Sequence, residues 1–288
     1  MNYYRNFNFK EAEKLVLLAL REDIGTCDIT SELFIPSGSV SRAEILFKED
    51  GIIAGTEIFK MVFRLIDKKI KVKFNRKDGD FISKGSIAGF ISGNSRNILK
   101  GERTALNILQ RMSGIATTTF ILSKKLNNPS IKLLDTRKTT PNFRLFEKAA
   151  VLTGGGNNHR FGLYDMYLIK DNHIEANKGI EKTLTIVKKN KSKIKKKTEI
   201  EVKNIHEFET VLLKGKGLIN RVMLDNFKMK DIEKAVKMNK NCFELEISGG
   251  VNEKNISKYG KLKGINYISA GFLTHSADSL DISLNFVT

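Results

Sequence analysis

Cysteine is scarce in this chain. Cys27 and Cys242 are the only two, and they lack the spacing of a metal site or a disulfide framework. Both read as reduced and structural, and nothing points to secretion. Long apolar runs are also missing. The longest near the start, Leu15 to Leu20, falls far short of the ~20 residues that a membrane span needs. The opening MNYYRNFNFKEAEK has no signal-peptide layout, so the cytoplasm is the expected location. Acidic residues are few, 32 against 50 lysines and arginines, for a formal net charge of +18. That imbalance invites a nucleic-acid or membrane-surface reading. Its densest run, KKNKSKIKKK at 188–197, has no interleaved aromatic for base stacking and follows the amphipathic stretch GIEKTLTIVKKN. It reads as the solvated end of a helix with its loop, and neither nucleic acid nor a membrane is expected as a partner.

The 288 residues are 41% hydrophobic, enough for one large domain or two unequal ones. Residues 9–21 carry apolar positions at helical spacing. AEILFKE (43–49), GIIAG (51–55), IKVKFN (70–75) and DGDFISKGSIAGFI (78–91) read as short strands and turns around a helical TEIFKMVFRLI (56–66), a small α+β domain. A long helical stretch, 97–126, follows. From residue 131 an apolar strand-like run and an amphipathic helix alternate six times, with strands at 131–136, 165–172, 198–204, 220–226, 242–250 and 265–271. Such alternation argues for a parallel sheet. Every one of these strands finishes in polar or ionisable residues, which favours a barrel, because there the strand ends surround one cavity. Ordinary turn chemistry accounts for the Gly, Asn and Asp, but not for Lys and Arg inside apolar strands.

Two of these ends, Ser248-Gly249-Gly250 and Ser269-Ala270-Gly271, have the small residues that let backbone N–H groups approach a phosphate, with the positive end of a following helix expected to help. Glu201 and Asp225 end successive strands, and Glu199 shares the face of Glu201. Carboxylates facing a phosphate need a cation between them, and oxygen ligands beside phosphates suit Mg²⁺. Pairing of Glu199 or Glu201 with a neighbouring lysine is the alternative. Arg137, Lys138, His159, Arg160 and Lys170 exceed the needs of one phosphate, and arginine suits planar carboxylates, so the ligand should also bear two carboxylates. Arg144 and Lys148 read as surface or supporting residues. Gly154 to Gly156, with no dinucleotide-type strand before them, read as a flexible turn that brings Asn158, His159 and Arg160 into place.

ERTALNILQRMSGIAT (102–117), DTRKTTP (135–141), EKAAVLTGGGNNHR (147–160), LIKDNHI (168–174), MLDN (223–226), ELEISGG (244–250) and ISAGFLTHSADSLDISL (268–284), in this order, resemble the quinolinate phosphoribosyltransferase family. The resemblance implies an α/β chain. A sandwich-like N-terminal α+β domain, 1–115, would be joined by the C-terminal segment 276–288, and an incomplete six- or seven-stranded α/β barrel would span 116–275. It implies transfer of phosphoribosyl from phosphoribosyl pyrophosphate to quinolinate, releasing pyrophosphate and carbon dioxide and giving nicotinate mononucleotide for NAD synthesis. It implies a homodimer in which Arg103 of one subunit reaches the other's barrel.

By motif position, Arg137, His159, Arg160 and Lys170 would hold the quinolinate carboxylates, with Lys138 near both substrates. Glu201 and Asp225 would face the ribose and Mg²⁺. The loops Ser248–Gly250 and Ser269–Gly271 would take the 5′-phosphate, assisted by His275. One departure is Lys203 in EIEVKN, where an acidic residue is expected, which leaves the ribose contact open between Glu199 and Glu201. A molybdenum-pathway paralogue would share the barrel and the TRKT-like motif, but NNHR and ERTALN argue against it. The other large phosphoribosyltransferase class uses a paired acidic motif, which DTRKTTP lacks.

Overall fold

The computed structural model describes residues 7–287. The first six residues, part of the stretch read above for a signal peptide, lie outside the described residues. In chain order the helices are α1 (Phe9–Ile24), α2 (Ile29–Phe34), α3 (Thr56–Ile66), α4 (Ser95–Leu126), α5 (Arg144–Thr153), α6 (Asp171–Ala176), α7 (Ile180–Lys189), α8 (Ile205–Lys214), α9 (Met229–Asn239) and α10 (Phe272–His275). The strands are β1 (Val40–Phe47), β2 (Gly51–Ile52), β3 (Lys71–Phe74), β4 (Phe81–Ile82), β5 (Ile87–Asn94), β6 (Lys132–Leu134), β7 (Tyr167–Ile169), β8 (Thr198–Val202), β9 (Arg221–Asp225), β10 (Glu244–Ser248), β11 (Tyr267–Ser269) and β12 (Ile282–Val287).

The chain forms two compact units. One takes residues up to Ile121, Thr139–Gly156 and Leu273 onward, and the other takes Leu122–Lys138 and Asn157–Phe272. In the first, an antiparallel sheet runs β12-β1-β5-β3. Ala43, Ile45 and Phe47 alternate along β1 onto the buried face and meet Ile282 and Leu284 of β12, the spacing that a half-buried strand requires. The C-terminal segment thus supplies an edge strand of this sheet. Helix α4 buries Ala105, Leu106, Leu109, Met112, Ile115 and Ala116, a stripe repeating every three or four residues.

Residues 139–156 were expected with the barrel and instead cluster with the first unit. Glu147, wholly buried, accepts from Arg111 of α4 at 3.0 Å and from the Thr140 hydroxyl at 3.0 Å, which binds α5 to α4. Of the glycines that follow, Gly155 is an open turn residue at φ +87°, whereas Gly154 and Gly156 are close-packing positions. A Cβ on Gly154 would lie 2.3 Å from Ala116 O and 2.7 Å from Thr119 Cβ. Lys148, expected as a surface or supporting residue, is only 1% exposed because α5 is buried nearly all round, from Phe146 through Val151.

The second unit is a parallel sheet in the order β6-β11-β10-β9-β8-β7, flanked by its amphipathic helices. The residues after the glycines extend it, since Asn157 pairs in parallel with Leu134 on the outer edge of β6. The sheet is curled. In a flat sheet β8 would lie about 19 Å from β6, four strand spacings away. Yet His159, next to that edge, has its Nε2 3.1 Å from Glu199 of β8. The strand expected at 165–172 is short, because α6 begins at Asp171.

Candidate active site

Side chains alternate along a strand, and the register of β8, β9 and β10 places Glu199 and Glu201 on one face with Arg221, Met223, Asp225, Glu244, Glu246 and Ser248. The charges therefore form two levels. One lies near the strand beginnings and the other at the carboxyl ends.

At the carboxyl ends stand Glu201, Asp225 and Ser248. Glu201 is 8% exposed. Burial and the Asp225 carboxylate push its pKa up, while Lys170 and Lys203 pull it back. Asp225 accepts from Asn226 Nδ2 at 2.7 Å, and the Asn226 N–H donates to Ser248 O at 2.9 Å, so β9 and β10 end in one linked turn. Gly249 follows with φ +97°, and a Cβ there would lie 2.2 Å from Asn226 Oδ1. Only glycine fits that approach. The carbonyl of Gly250 accepts from Asn252 and Asn255 at 3.0 and 2.8 Å, which ties the turn to the segment that follows it.

The other small-residue end differs. Ser269 and Ala270 are buried, and the Ala270 N–H is spent on Leu134 O at 3.0 Å, inside the sheet. This leaves Gly271 as the residue of that trio beyond the ladder. The helices expected to lend a positive end are single turns, Ile256–Tyr259 and α10, so their dipoles add little. Asn204, at the end of β8, does what a plain turn residue does and caps α8 through the Glu207 N–H at 2.9 Å. Lys203, which stands where an acid was expected, has its Nζ 3.7 Å from Asp171.

Lys138 and Lys170 are exposed, and Arg137 is partly buried. Arg160 is partly buried, gives Nη1 to Met166 O at 3.2 Å, and keeps a buried Nε with no hydrogen-bond partner. Burial and the like charge of Arg137 hold its pKa below the ordinary arginine value. His159, Arg160, Asn157 and Asn158 line a cavity of 220 Å³ with Lys132 and Arg221. Arg103 is exposed on α4, and His275 is exposed with its Nδ1 2.6 Å from Ser276 Oγ. Both belong to the first unit, whereas the other site residues named above belong to the second.

The lower level is a buried ionic cluster whose members Glu246 and Arg221 the sequence reading missed. His159 Nε2 lies 3.1 Å from Glu199 and 3.6 Å from Glu246, and Arg221 Nη1 bonds Glu246 at 2.9 Å and stands 3.8 Å from Glu199. Arg221 also lies over the Tyr267 ring at 3.6 Å. Both carboxylates are 0% exposed. Burial and the neighbouring Glu246 charge push Glu199 up to about 7. Burial opposes the charged form of His159, but the hydrogen bonds and charges of Glu199 and Glu246 prevail and lift it to about 9. Glu246 is held down despite its burial by the His159 hydrogen bond and by Arg221. The Arg160 N–H points at His159 Nδ1 at 2.7 Å and resists a second ring proton. Two carboxylates outweigh one amide dipole, so the ring is held protonated. The carboxylates at Nε2 and the bond from the His159 backbone N–H to Asp135 Oδ1 at 2.8 Å together fix the segment that carries Arg160. The signal in the sequence was charge within the apolar strands RVMLD and ELEIS.

A curled parallel sheet with cations and carboxylates at its strand ends and a glycine turn beside them defines an α/β protein with a charged site at the carboxyl ends of its strands. Two family models match the chain: the quinolinate phosphoribosyl transferase N-terminal domain over residues 28–113 and its C-terminal domain over 115–285. The chain is 40% identical over 293 residues to the chloroplastic nicotinate-nucleotide pyrophosphorylase [carboxylating] of Arabidopsis thaliana, covering 96% of this chain and 83% of that one. It is also 40% identical to the probable nicotinate-nucleotide pyrophosphorylase [carboxylating] of Bacillus subtilis, covering 96% and 94%. The solved structure of the nicotinate-nucleotide pyrophosphorylase from Francisella tularensis superposes with a TM-score of 0.89 at 38% identity, over 98% of both chains. The chain belongs to the quinolinate phosphoribosyltransferase family.

Proposed function

We infer that this protein transfers phosphoribosyl from phosphoribosyl pyrophosphate to quinolinate with decarboxylation, giving nicotinate mononucleotide, pyrophosphate and carbon dioxide for NAD biosynthesis. Beside the family membership, one observation carries the reading. Arg160 is held partly buried, with an unpartnered Nε, against the repelling charge of Arg137. A planar carboxylate from a ligand relieves both costs at once. Arg137, Arg160 and Lys170 are the clamps for quinolinate, Lys138 stands near both substrates, and His159 sets the clamp's position from beneath. Ser248, Gly249, Gly250 and Gly271 take the 5′-phosphate.

In the reaction the C1′–O bond to pyrophosphate breaks as the pyridine nitrogen bonds C1′. Positive charge builds on the ribose ring, and the Glu201 and Asp225 carboxylates stabilise it. The ring nitrogen becomes cationic, the C2 carboxylate departs as carbon dioxide, and the electron pair left at C2 takes up a proton. The protein thus needs to orient and desolvate more than to relay protons. Glu201 and Asp225 fit a divalent cation, since their mutual repulsion already raises the Glu201 pKa. Mg²⁺ held there would neutralise the pyrophosphoryl oxygens.

We also propose a homodimer, with the exposed Arg103 completing the partner's site. The exposed free thiol of Cys242 fits a reducing compartment such as the cytoplasm. Among the described residues, no helix is long and apolar enough to cross a membrane. Incubation with quinolinate, phosphoribosyl pyrophosphate and Mg²⁺ should yield nicotinate mononucleotide. Product from nicotinate instead of quinolinate would reassign the acceptor.

A further inference from the structure

The lysine run at 188–197 is solvated, as its composition predicts, with Lys188, Lys189, Lys191, Lys193, Lys195, Lys196 and Lys197 all exposed. It is also shaped. The end of α7, the turn after it, the amino-terminal end of β8 and the loop before β9 border an open pocket of 350 Å³. Lys191, Lys195, Lys196 and Lys197 line it together with Thr198 and Asn220, and no carboxylate is among its lining residues. Lys196 donates to Tyr164 O, and Lys197 lies 3.5 Å from Glu244, which anchors the two lysines nearest the strand. Lys191 and Lys195 have no ion pair among the described residues.

An independent observation lies at the wall of the same pocket. Thr198 is 1% exposed, its N–H is satisfied by Asn220 Oδ1 at 2.8 Å, and its Oγ1 has no hydrogen-bond partner. A buried hydroxyl left unpaired costs stability unless something outside the chain pairs with it. Across the pocket, Gly217 has φ +72° and nothing within 4 Å of where a Cβ would be, so this side is open.

We propose that this pocket is a binding site for a compact oligophosphate anion, with Lys191 and Lys195 as charge partners and the Thr198 hydroxyl as the buried hydrogen-bond group. The donors select the chemistry. Lysine acts as a point charge suited to a phosphate chain, and the lining holds no arginine fork of the kind that grips planar carboxylates. It holds no aromatic ring for a base to stack on, which disfavours single-stranded nucleic acid, and a duplex is too wide to reach Thr198. The site lies at the beginning of β8, whereas Glu201 lies near the end of that strand.

The test is calorimetric titration with inorganic tripolyphosphate at 150 mM NaCl, on the full chain. The wild type should show a saturable site that the Lys191→Ser/Lys195→Ser variant loses, while that variant keeps its nicotinate mononucleotide synthesis. Thr198→Val should weaken this site about tenfold, as expected for a hydrogen bond to a charged group, and Thr198→Ser should bind like the wild type. Wild-type affinity in a folded Thr198→Val protein would overturn the proposal. So would binding by the wild type that does not saturate, or that a short DNA duplex displaces as effectively as tripolyphosphate does, since the run would then act as a plain polycation. Should Thr198→Val fail to fold, unchanged saturable binding by the double lysine variant would by itself overturn the proposal.

Discussion

Glu199 and Glu246 are carboxylates withdrawn entirely from water, and their burial is tolerated because His159 and Arg221 stand between them. The consequence is a pH dependence with a definite sign. His159 has a folded pKa near 9 against an ordinary value of 6.5, so its contribution to stability is full below pH 6.5 and is lost as pH rises through 9. Glu199, raised from 4.5 to about 7, adds a loss of the same sign between those values. Glu246, held low, works in the opposite direction, and its contribution is lost only as the solution turns acidic. Denaturant midpoints should therefore fall between pH 7 and 9. The His159 ring resonances should titrate well above 6.5, and the midpoint should move down in Glu246→Gln. A midpoint at or below 6.5 in the wild type would mean that the Arg160 N–H governs the ring. At Arg160 itself, replacement by alanine should weaken quinolinate binding roughly ten- to a hundredfold, the worth of about 1.5–3 kcal/mol for a charge-assisted contact. Phosphoribosyl pyrophosphate affinity should largely survive, and equal loss for both ligands by calorimetry would reject separate pockets.

Strand β8 shows how one element serves several purposes through its period of two. Its five residues are all buried, yet Glu199 enters the ionic cluster and Glu201 reaches the carboxyl-end site, while Ile200 and Val202 face the other way into the core. The turn after β10 is the other element whose geometry carries function. Gly249→Ala would force a Cβ onto Asn226 Oδ1 at a φ that L-residues rarely adopt. The variant should lose most of its affinity for phosphoribosyl pyrophosphate while binding quinolinate within a fewfold of the wild type, as read by titration with each ligand. At the proposed metal position, Asp225→Asn should lower turnover by about 10²–10³, the scale for one preorganised electrostatic group. Turnover and Mg²⁺ dependence like those of the wild type would place the cation elsewhere.

At the scale of the whole molecule the proposed homodimer raises the question of whose barrel Arg103 serves. Mixing Arg103→Ala and Lys138→Ala proteins, each inactive, under conditions of subunit exchange should restore up to roughly a quarter of wild-type activity. Random pairing makes about half the dimers mixed, and each mixed dimer then has one site with both lesions and one with neither, as closed two-fold symmetry requires. Inactivity with mixed dimers confirmed by native mass spectrometry would return Arg103 to its own subunit.

What the sequence by itself determined is whatever depends on local period and composition. The long amphipathic α4, the six barrel strands within a few residues of their ends, the Gly249 turn, the solvated lysine run and the order of the motifs were all legible, because apolar spacing and turn residues act over a few positions. Tertiary structure alone decided which charges meet. Glu246 and Arg221 are 25 residues apart and read singly as oddities in apolar strands, and only the parallel register of β9 and β10 and the curl of the sheet bring them to Glu199 and His159. The same holds for the allegiance of residues 139–156, which follows from Glu147 pairing with Arg111 some 36 positions earlier. Burial and pairing across such separations set the pKa values and the clamp geometry, and no window of sequence contains both partners.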